Sequence, residues 1–451
     1  MKFPADFVWG AATAAFQIEG STTVDGRSDS VWDAFCRVDG AVAGGHTGDP
    51  GADHYRLMAD DVAMMASLGL RAYRFSVAWP RVRPDGGAIN QAGLDFYERL
   101  VDTLLDNDIT PWVTLYHWDL PQKLEEAGGW RNRETAYRFA DFTSAVTERL
   151  QDKVTNWITL NEPWCAAFLG YAAGIHAPGH TDPSAAIAAT HHLLLAHGLG
   201  MAAIREVPNA NAGITLNLFP VHPEKADDPN DIDAARRIDG LQNRIFLGPV
   251  LDGEYPADVV KDLSPHMTGL VRPGDLELIS APVDFVGINY YRDYLVAGGQ
   301  TAEFPSPWVN SEDVVFVPRD LPLTDSGWEI NADGLTDLLV SLHRSYPGVP
   351  LYITENGAAF PDRTTDDRDR VSFLESHLRA AHSAIEQGVD LRGYFCWSLL
   401  DNFEWAEGYA KRFGLVHVDF DTQVRTPKSS ALWYSQVVKA NGIENGGQPA
   451  D

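Results

Sequence analysis

A (β/α)8 barrel is the fold that this 451-residue sequence predicts, and three observations lead to it. Eight short runs of β-branched and aromatic residues are typical of buried strands. Longer stretches with apolar residues at helical spacing separate these runs. Neither a repeat of solenoid length nor a low-complexity linker interrupts the alternation. Eight strand–helix units close into one barrel, so we expect residues 1–451 to form a single α/β domain.

The strands and helices are predicted in strict alternation along the chain. The strands are predicted at 7–12, 72–77, 111–116, 154–160, 212–216, 285–289, 351–354 and 393–397. The helices are predicted at 52–68, 94–105, 135–150, 183–205, 232–246, 334–346, 369–387 and 429–439. An open doubly wound sheet is the alternative. Its dinucleotide-binding version loses support, because no Gly-x-Gly-x-x-Gly follows the first strand.

Three stretches rich in Gly, Pro and Asp are predicted as long loops, at 37–53, 298–326 and 361–368. Where such loops follow strands at the carboxyl end of a barrel, they build the rim of a deep pocket. Residues 441–451 are rich in Gly and Asn, and we expect them to form a frayed tail.

The composition excludes several classes of partner. Apolar residues make up 45% and charged residues 22%, as in ordinary globular enzymes. The net charge of −28 repels nucleic acid and anionic membranes. The three cysteines, Cys36, Cys165 and Cys396, show neither a disulfide framework nor zinc-ligand spacing, and no metal or other cofactor is predicted. No signal peptide and no bilayer-long apolar run are visible, so we expect a cytoplasmic protein.

Two glutamates, Glu162 and Glu355, each come at the end of a predicted buried strand. Pro163 and Gly357 stop the two strands just after these acids. A carboxylate is a poor core residue, because burying an unpaired charge is costly. In a parallel barrel, the carboxyl ends of the strands are also where catalytic residues lie. Two carboxyl groups that face one pocket are the pair of catalytic groups that hydrolysis of a glycosidic bond requires.

Polar and aromatic side chains follow most of the other predicted strands as well. Taken singly, each has an ordinary structural explanation, but their joint occurrence at six strand ends predicts one pocket. Amides and carboxylates would bind hydroxyls, while indoles would cover the apolar face of a sugar ring. The residues concerned are Gln17, Glu19, Tyr116, His117, Trp118, Asp119, Asn161, Glu162, Asn289, Tyr290, Tyr291, Glu355, Asn356, Trp397 and 401–405.

At this level of detail the chain resembles glycoside hydrolase family 1, the β-glucosidases. In this chain, TLNEP at 159–163 and ITENG at 353–357 resemble the two signature motifs of that family. The resemblance runs nearly end to end through FVWGAAT at 7–13, YRFS at 73–76, HWDLP at 117–121, GINYY at 287–291, WSLLDNFEW at 397–405 and KRFG at 411–414.

The resemblance implies a retaining (β/α)8 glycosidase in which Glu162 is the general acid/base and Glu355 the nucleophile. It also implies that Arg74 and Tyr291 support the nucleophile, and that Trp328 forms the aromatic wall of the leaving-group subsite. The residues implied to bind the nonreducing sugar or line its pocket are Gln17, His117, Trp118, Asn161, Asn289, Tyr291, Trp397, Glu404, Trp405 and Phe413. Weaker candidates for the outer region are Trp164, His176 and Asn217.

Two residue identities refine this expectation. Members of the family that take 6-phosphorylated sugars usually have serine where this chain has Glu404, and a carboxylate would repel the phosphate. The thioglucoside-cleaving branch lacks the acid that this chain has as Glu162. We therefore expect hydrolysis of plain β-glucosides, β-galactosides or β-fucosides and of short oligosaccharides such as cellobiose. The two carboxyl groups should lie about 5–5.5 Å apart, as in retaining enzymes.

Four alternatives stay open at this point. A transglycosylase would use the same covalent intermediate, a 6-phospho-β-glycosidase would share the barrel, and a carbohydrate-binding protein would use the pocket without chemistry. A metal-dependent hydrolase has little support, since only His117 lies at a convincing strand end. The expected partners are a small β-glycoside and, in a homo-oligomer, further copies of the chain. Sugar preference, aglycone preference and glucose tolerance do not follow from the sequence.

Overall fold

The computed structural model describes residues 1–299, 305–361 and 364–444, and eight parallel strands close into a barrel within these ranges. Each strand pairs with its neighbours along the chain, and the last pairs with the first, for example Val8 with Gly393. The strands are β1 (Val8–Ala12), β2 (Ala72–Ser76), β3 (Thr110–Tyr116), β4 (Asn156–Asn161), β5 (Asn211–Asn217), β6 (Phe285–Asn289), β7 (Leu351–Asn356) and β8 (Leu391–Trp397). The predicted (β/α)8 fold is confirmed.

Eight helices follow the strands in turn and cover the outside of the barrel. They are α1 (His54–Leu68), α2 (Gln91–Asp106), α3 (Glu134–Leu150), α4 (Pro183–Ile204), α5 (Pro229–Asp239), α6 (Ala332–Ser345), α7 (Arg368–Glu386) and α8 (Ser429–Ala440). Local chemistry sets some of their starts. The side chain of Asp182 accepts hydrogen bonds from the first amides of α4, and Pro183 occupies a position where no amide hydrogen is needed.

Shorter elements lie in the loops between these units. The short α-helices are Ala15–Ile18, Val31–Phe35, Trp79–Val82, Gln122–Glu126, Ile245–Leu247, Ala257–Asp262 and Asp275–Ile279. The 3-10 and π segments are Ala43–Gly45, Pro84–Gly86, Gly129–Arg131, Cys165–Ala172, Gly240–Arg244, Gly248–Asp252 and Trp405–Glu407. The small sheets consist of Val221–Pro223 with Tyr294–Gly298 and Val314–Phe316, and of Val416–Val418 with Arg425–Pro427.

The interior of the barrel is filled by aromatic side chains. Trp112 packs against Phe285, Tyr352 and Phe395 with ring centroids 4.8–5.4 Å apart. A side chain at Gly10 could not be accommodated, because its Cβ would lie 2.5 Å from the Phe395 ring and 2.8 Å from a backbone oxygen of β2. These aromatic residues form a solid layer across the barrel, and Trp397 and Phe413 belong to the same cluster.

Most predicted bounds lie within three residues of those in the structure, and the end of one helix differs by more. The helix predicted at 232–246 begins at Pro229 and ends at Asp239, after which the chain continues in π turns. This change lets Gln242 donate to the Asn217 carbonyl and Asn243 donate to the Phe219 carbonyl, both at 2.7–2.9 Å. The π segment therefore satisfies backbone oxygens at the end of β5.

The expected frayed tail is wrong for its first residues. Asn441 accepts a hydrogen bond from Trp9 Nε1 at 2.8 Å, and its carbonyl accepts one from the Phe3 amide at 3.1 Å. Ile443 is buried, and its carbonyl binds the amino terminus. Residues 441–444 thus close the bottom of the barrel against the start of the chain, and 445–451 lie outside the described residues.

Helix α4 corrects the expectation that no segment could span a bilayer. By length and composition, Pro183–Ile204 could cross a membrane, but 78% of its apolar window is buried inside the protein. Its apolar residues are explained by packing within the fold, where both its faces are covered.

Candidate active site

The carboxyl ends of the strands open into a pocket of about 890 Å³. Of the three predicted loops, the one at 298–326 contributes Pro307, Trp308 and Ser326 to its wall, whereas 37–53 and 361–368 do not reach it within the described residues. The predicted residues that line the pocket directly are His117, Trp118, Glu162, Tyr291, Trp328, Glu355, Trp397, Glu404, Trp405 and Phe413. Gln17, Arg74, Asn161 and Asn289 lie behind these and bind them. The other residues predicted for the pocket do not line it, namely Glu19, Tyr116, Asp119, Tyr290, Asn356 and 401–403.

Glu162 and Glu355 both face the pocket, but their surroundings differ in charge. Glu355 accepts hydrogen bonds from the Arg74 guanidinium at 2.5 Å and from the Tyr291 hydroxyl at 2.6 Å. Glu162 accepts from neutral donors, the Asn289 amide at 2.6 Å and the Cys165 thiol at 3.3 Å. Among the described residues, a cation lies beside Glu355 and none lies within hydrogen-bond distance of Glu162. This difference gives the two carboxyl groups different tendencies to hold a proton.

The pKa values follow from these contacts. Burial, and then the charge of Glu355, raise the pKa of Glu162 to about 8. Burial also raises the pKa of Glu355, but Arg74 and Tyr291 oppose the increase. Two carboxylates in one pocket cannot both ionise easily, and the cation favours the ionised form of Glu355. These contacts favour one shared proton on the pair at neutral pH, and they favour Glu162 as the group that carries it.

An amide network joins the ends of β4, β6 and β7. The side-chain oxygen of Asn161 accepts from Arg74 at 2.5 Å and from Asn289 at 3.0 Å. Asn289 in turn accepts from the Thr354 hydroxyl at 2.8 Å, which fixes the orientation of its amide toward Glu162. Because this network is fully buried, it holds the two acids in fixed positions relative to each other.

The deepest part of the pocket combines polar groups with indole rings. Gln17 donates to Glu404 at 3.3 Å, and burial, followed by the charges of Glu355 and Glu162, raises the pKa of Glu404 to about 8. Gln17 Oε1 and His117 Nδ1 are buried and have no partner among the described residues. Trp397 stacks near His117 with ring centroids 5.9 Å apart. Such unpaired polar atoms beside aromatic rings suit a ligand that carries hydroxyls.

Three residues of the pocket have left-handed backbone conformations that L-residues rarely adopt. Their φ angles are 75° at Trp118, 45° at Glu162 and 51° at Trp405. Each such conformation costs about 1–3 kcal/mol. The Trp118 indole nitrogen donates to the Asn161 carbonyl at 2.9 Å, and its ring packs on Trp405 at 4.5 Å. Tertiary contacts thus hold strained residues where they form the pocket wall.

The outer part of the pocket is mainly aromatic. Trp328 packs against Tyr291 and Phe413, and Trp164 packs against Trp308. The weaker candidates Trp164, His176 and Asn217 do line the pocket. Lining residues that the sequence interpretation missed are Cys165, Leu169, Ile175, Phe219, Arg292, Tyr294, Pro307, Trp308, Ser326, Ala406, Glu407 and Lys411. A usable signal existed for Cys165, one helical turn after Glu162, and for Arg292, next to Tyr291, but none for Trp308, which lies in a long loop.

Within residues 1–299, 305–361 and 364–444, no three His, Cys, Asp or Glu side chains are grouped so that they could hold a metal ion. His117 binds the Asn161 amide instead of a carboxylate or another imidazole.

Comparison with known proteins identifies the family. A sequence profile described as glycosyl hydrolase family 1 matches residues 1–443. The chain belongs to this family. The predicted resemblance, the barrel and the enzyme class, a retaining β-glycosidase, are thereby confirmed.

Relatives within glycosyl hydrolase family 1 match over almost the whole chain. Thermostable beta-glucosidase B of Thermobispora bispora is 53% identical over 99% of this chain and 92% of its own length. A bifunctional beta-D-glucosidase/beta-D-fucosidase of Bifidobacterium breve is 46% identical over 97% and 98%. The crystal structure of the psychrophilic beta-glucosidase BglU of Micrococcus antarcticus superposes with a TM-score of 0.96, at 50% identity and 98% coverage of both chains.

Proposed function

We propose that this family 1 enzyme is a β-glucosidase in which Glu355 is the nucleophile and Glu162 the general acid/base. In the first step, Glu355 attacks the anomeric carbon while Glu162 protonates the leaving oxygen. In the second step, Glu162 takes a proton from water, which attacks the glycosyl-enzyme and frees the sugar with retained configuration. The observation that carries this assignment is the difference between the hydrogen-bond donors of the two acids. Glu355 accepts from the Arg74 cation, whereas Glu162 accepts from neutral donors.

The sugar is proposed to bind in the deep part of the pocket, below the two acids. Gln17, His117 and Glu404 offer polar atoms to ring hydroxyls, and Trp397 lies beneath the ring. A site built to bind hydroxyls discriminates by leaving buried groups unpaired when a hydroxyl is absent or inverted. The names of the relatives support glucosides first and fucosides second. The residues proposed to complete this subsite are Trp118, Asn161, Asn289, Trp405 and Phe413. Trp328 is proposed to form the wall of the outer region.

A substrate panel tests this proposal. We expect turnover of p-nitrophenyl β-D-glucoside, and kcat/KM at least about 100-fold lower for the 6-phosphoglucoside, because burying the phosphate dianion against Glu404 without a compensating cation is costly. Lys411, also at the pocket, is bound to Asp325. Rates on the galactoside and fucoside rank the sugars. Turnover of the phosphorylated sugar alone would contradict the interpretation of Glu404, and no turnover of any member would contradict the assignment as a β-glucosidase.

Tyr291→Phe should shift the acidic limb of the pH profile. The Tyr291 hydroxyl donates to Glu355 and favours its ionised form, so its loss raises the pKa of Glu355. Glu355 must be ionised to attack, and the acidic limb of kcat/KM therefore moves to higher pH, by about one unit for a charge-assisted hydrogen bond. The measurement is the pH dependence of kcat/KM for p-nitrophenyl β-D-glucoside.

Tyr290→Phe is the matched control for this experiment. The Tyr290 hydroxyl is also buried, but it donates to the Asn331 carbonyl at 2.6 Å and not to either acid. Its loss should leave the acidic limb in place. An acidic limb that moves equally in both variants, or in neither, would contradict the role proposed for Tyr291.

The transglycosylase alternative is not favoured by the relatives. Product analysis with an added acceptor alcohol measures directly how much of the sugar passes to the alcohol and how much to water.

We also propose that the protein works in the cytoplasm on small β-glycosides. The net charge of −28 supports the absence of nucleic-acid and membrane partners. Homo-oligomer formation stays an expectation, and sedimentation analysis would measure it.

A further inference from the structure

Among the buried and half-buried arginines that the structure describes, Arg292 is distinguished by the absence of a carboxylate partner. Within residues 1–299, 305–361 and 364–444, every other arginine that is buried or half-buried lies within 4.0 Å of an Asp or Glu oxygen. Arg292 is half-buried and has no such partner, although it lines the pocket of a strongly acidic protein. A partly desolvated cation without a counter-ion has unused capacity to bind an anion.

The position of Arg292 is set by two aromatic rings. Its guanidinium lies 5.0 Å from the centroid of Tyr294 and 5.1 Å from that of Trp328. Cation–π contacts of this kind hold the group in place without neutralising its charge. Trp308 extends the same wall, 5.9 Å from Tyr294. The guanidinium therefore lies in the aromatic outer part of the pocket, on the side of the leaving group.

The other charges that line the pocket have partners or lie elsewhere. Glu355 is paired with Arg74, and Glu162 holds the proton of the pair. Glu404 binds Gln17 in the deep part of the pocket, and Lys411 pairs with Asp325. The fourth acid, Glu407, is exposed at the rim. Among the described residues, Arg292 is thus the unpaired cation of the outer region, and the wall around it is apolar or aromatic.

We propose that Arg292 makes the outer pocket selective for β-glycosides whose aglycone is an aromatic ring bearing an anionic group, such as a carboxylate. The aromatic walls would stack on the ring, and the planar guanidinium would bind the carboxylate through two parallel hydrogen bonds. This inference rests on the proposed function, because the aglycone enters the argument only as the leaving group of the reaction at Glu162.

The test compares two substrates of nearly equal shape, 4-carboxyphenyl and 4-carbamoylphenyl β-D-glucoside. Only the first carries a negative charge at neutral pH. We expect the ratio of kcat/KM, carboxylate over amide, to fall about tenfold in Arg292→Met relative to the wild type. Arg292→Lys keeps the charge but loses the two-pronged geometry, and the ratio should fall about threefold. Taking the ratio within each variant cancels any general loss of active protein, and comparing that ratio with the wild-type ratio cancels the difference in leaving-group reactivity.

Arg344→Met is the control, because Arg344 is an exposed arginine on α6 away from the pocket, also without a carboxylate partner among the described residues. It should leave the ratio at the wild-type value. A ratio within twofold of the wild type in both Arg292 variants would overturn the inference and assign Arg292 to ring stacking alone. If the wild type hydrolyses neither of the two substrates nor p-nitrophenyl β-D-glucoside, the proposed function itself is wrong. This result is distinguishable from failure of the inference about Arg292, in which the wild type is active but the ratio does not change.

Discussion

Glu355→Ala is expected to abolish hydrolysis, with kcat lower by on the order of 10⁴–10⁶, the range in which loss of a nucleophile falls. The covalent intermediate cannot form without this carboxylate, and Arg74 and Tyr291 would be left facing an empty position. The decisive measurement is kcat on p-nitrophenyl β-D-glucoside after exhaustive purification from wild-type enzyme.

Azide supplies the control for Glu355→Ala. The small anion fits the space left by the carboxylate, and it should restore turnover by direct attack on the anomeric carbon. Only one displacement then occurs, so the product should be the α-glucosyl azide, with inverted configuration. A β-configured azide, or hydrolysis within tenfold of the wild type, would show that Glu355 is not the nucleophile.

Glu162→Ala is expected to have an effect that depends on the leaving group. A glucoside with a poor leaving group, such as cellobiose, needs protonation and should lose about 10²–10⁴ in kcat/KM. The 2,4-dinitrophenyl glucoside needs little protonation, and its kcat/KM should change by less than about tenfold. Steady-state kinetics on a series of aryl glucosides measures the dependence. Equal losses across the series would contradict the assignment of Glu162 as the acid.

The pH profile offers a second measurement on the same variant. Because burial and Glu355 raise the pKa of Glu162 to about 8, the acid stays protonated through neutral pH. Activity of the wild type should fall as the pH rises through about 8, where Glu162 loses its proton. In Glu162→Ala this alkaline limb should disappear, while the acidic limb set by Glu355 remains. An alkaline limb that persists unchanged would assign it to another group.

The fold was predictable because its signals are local and repeated. Each barrel strand is a short β-branched and aromatic run, and β6 has the predicted bounds, Phe285–Asn289. The polar residues at strand ends were predictable as a site because parallel strands bring their carboxyl ends to one edge. Glu162, Glu355, Asn161 and Asn289 therefore meet as expected, and the hydrogen bonds between them need no information from outside the barrel.

The outer pocket was less predictable, because its residues come from loops whose paths depend on tertiary packing. Trp308 lies in a long loop without a periodic pattern, and its packing on Trp164 and Tyr294 brings it to the pocket. Arg292 gave a signal only by its position next to Tyr291. The tail at 441–444 was mispredicted for a similar reason, since its polar composition hides contacts with Trp9 and Phe3 that are distant in sequence.

The aromatic layer of Trp112, Phe285, Tyr352 and Phe395 has a kinetic consequence. Since this layer closes the barrel below Trp397, the pocket has a single opening, and every molecule that enters must leave through it. The aglycone, nearest the mouth, departs first, water arrives next, and the sugar leaves last. Free glucose therefore competes with incoming substrate for the innermost position, whereas a free aglycone competes with water for the glycosyl-enzyme. The two products should accordingly inhibit in different ways. Glucose should inhibit by occupying the free enzyme, and the aglycone should inhibit by reacting with the glycosyl-enzyme and so reversing the first step.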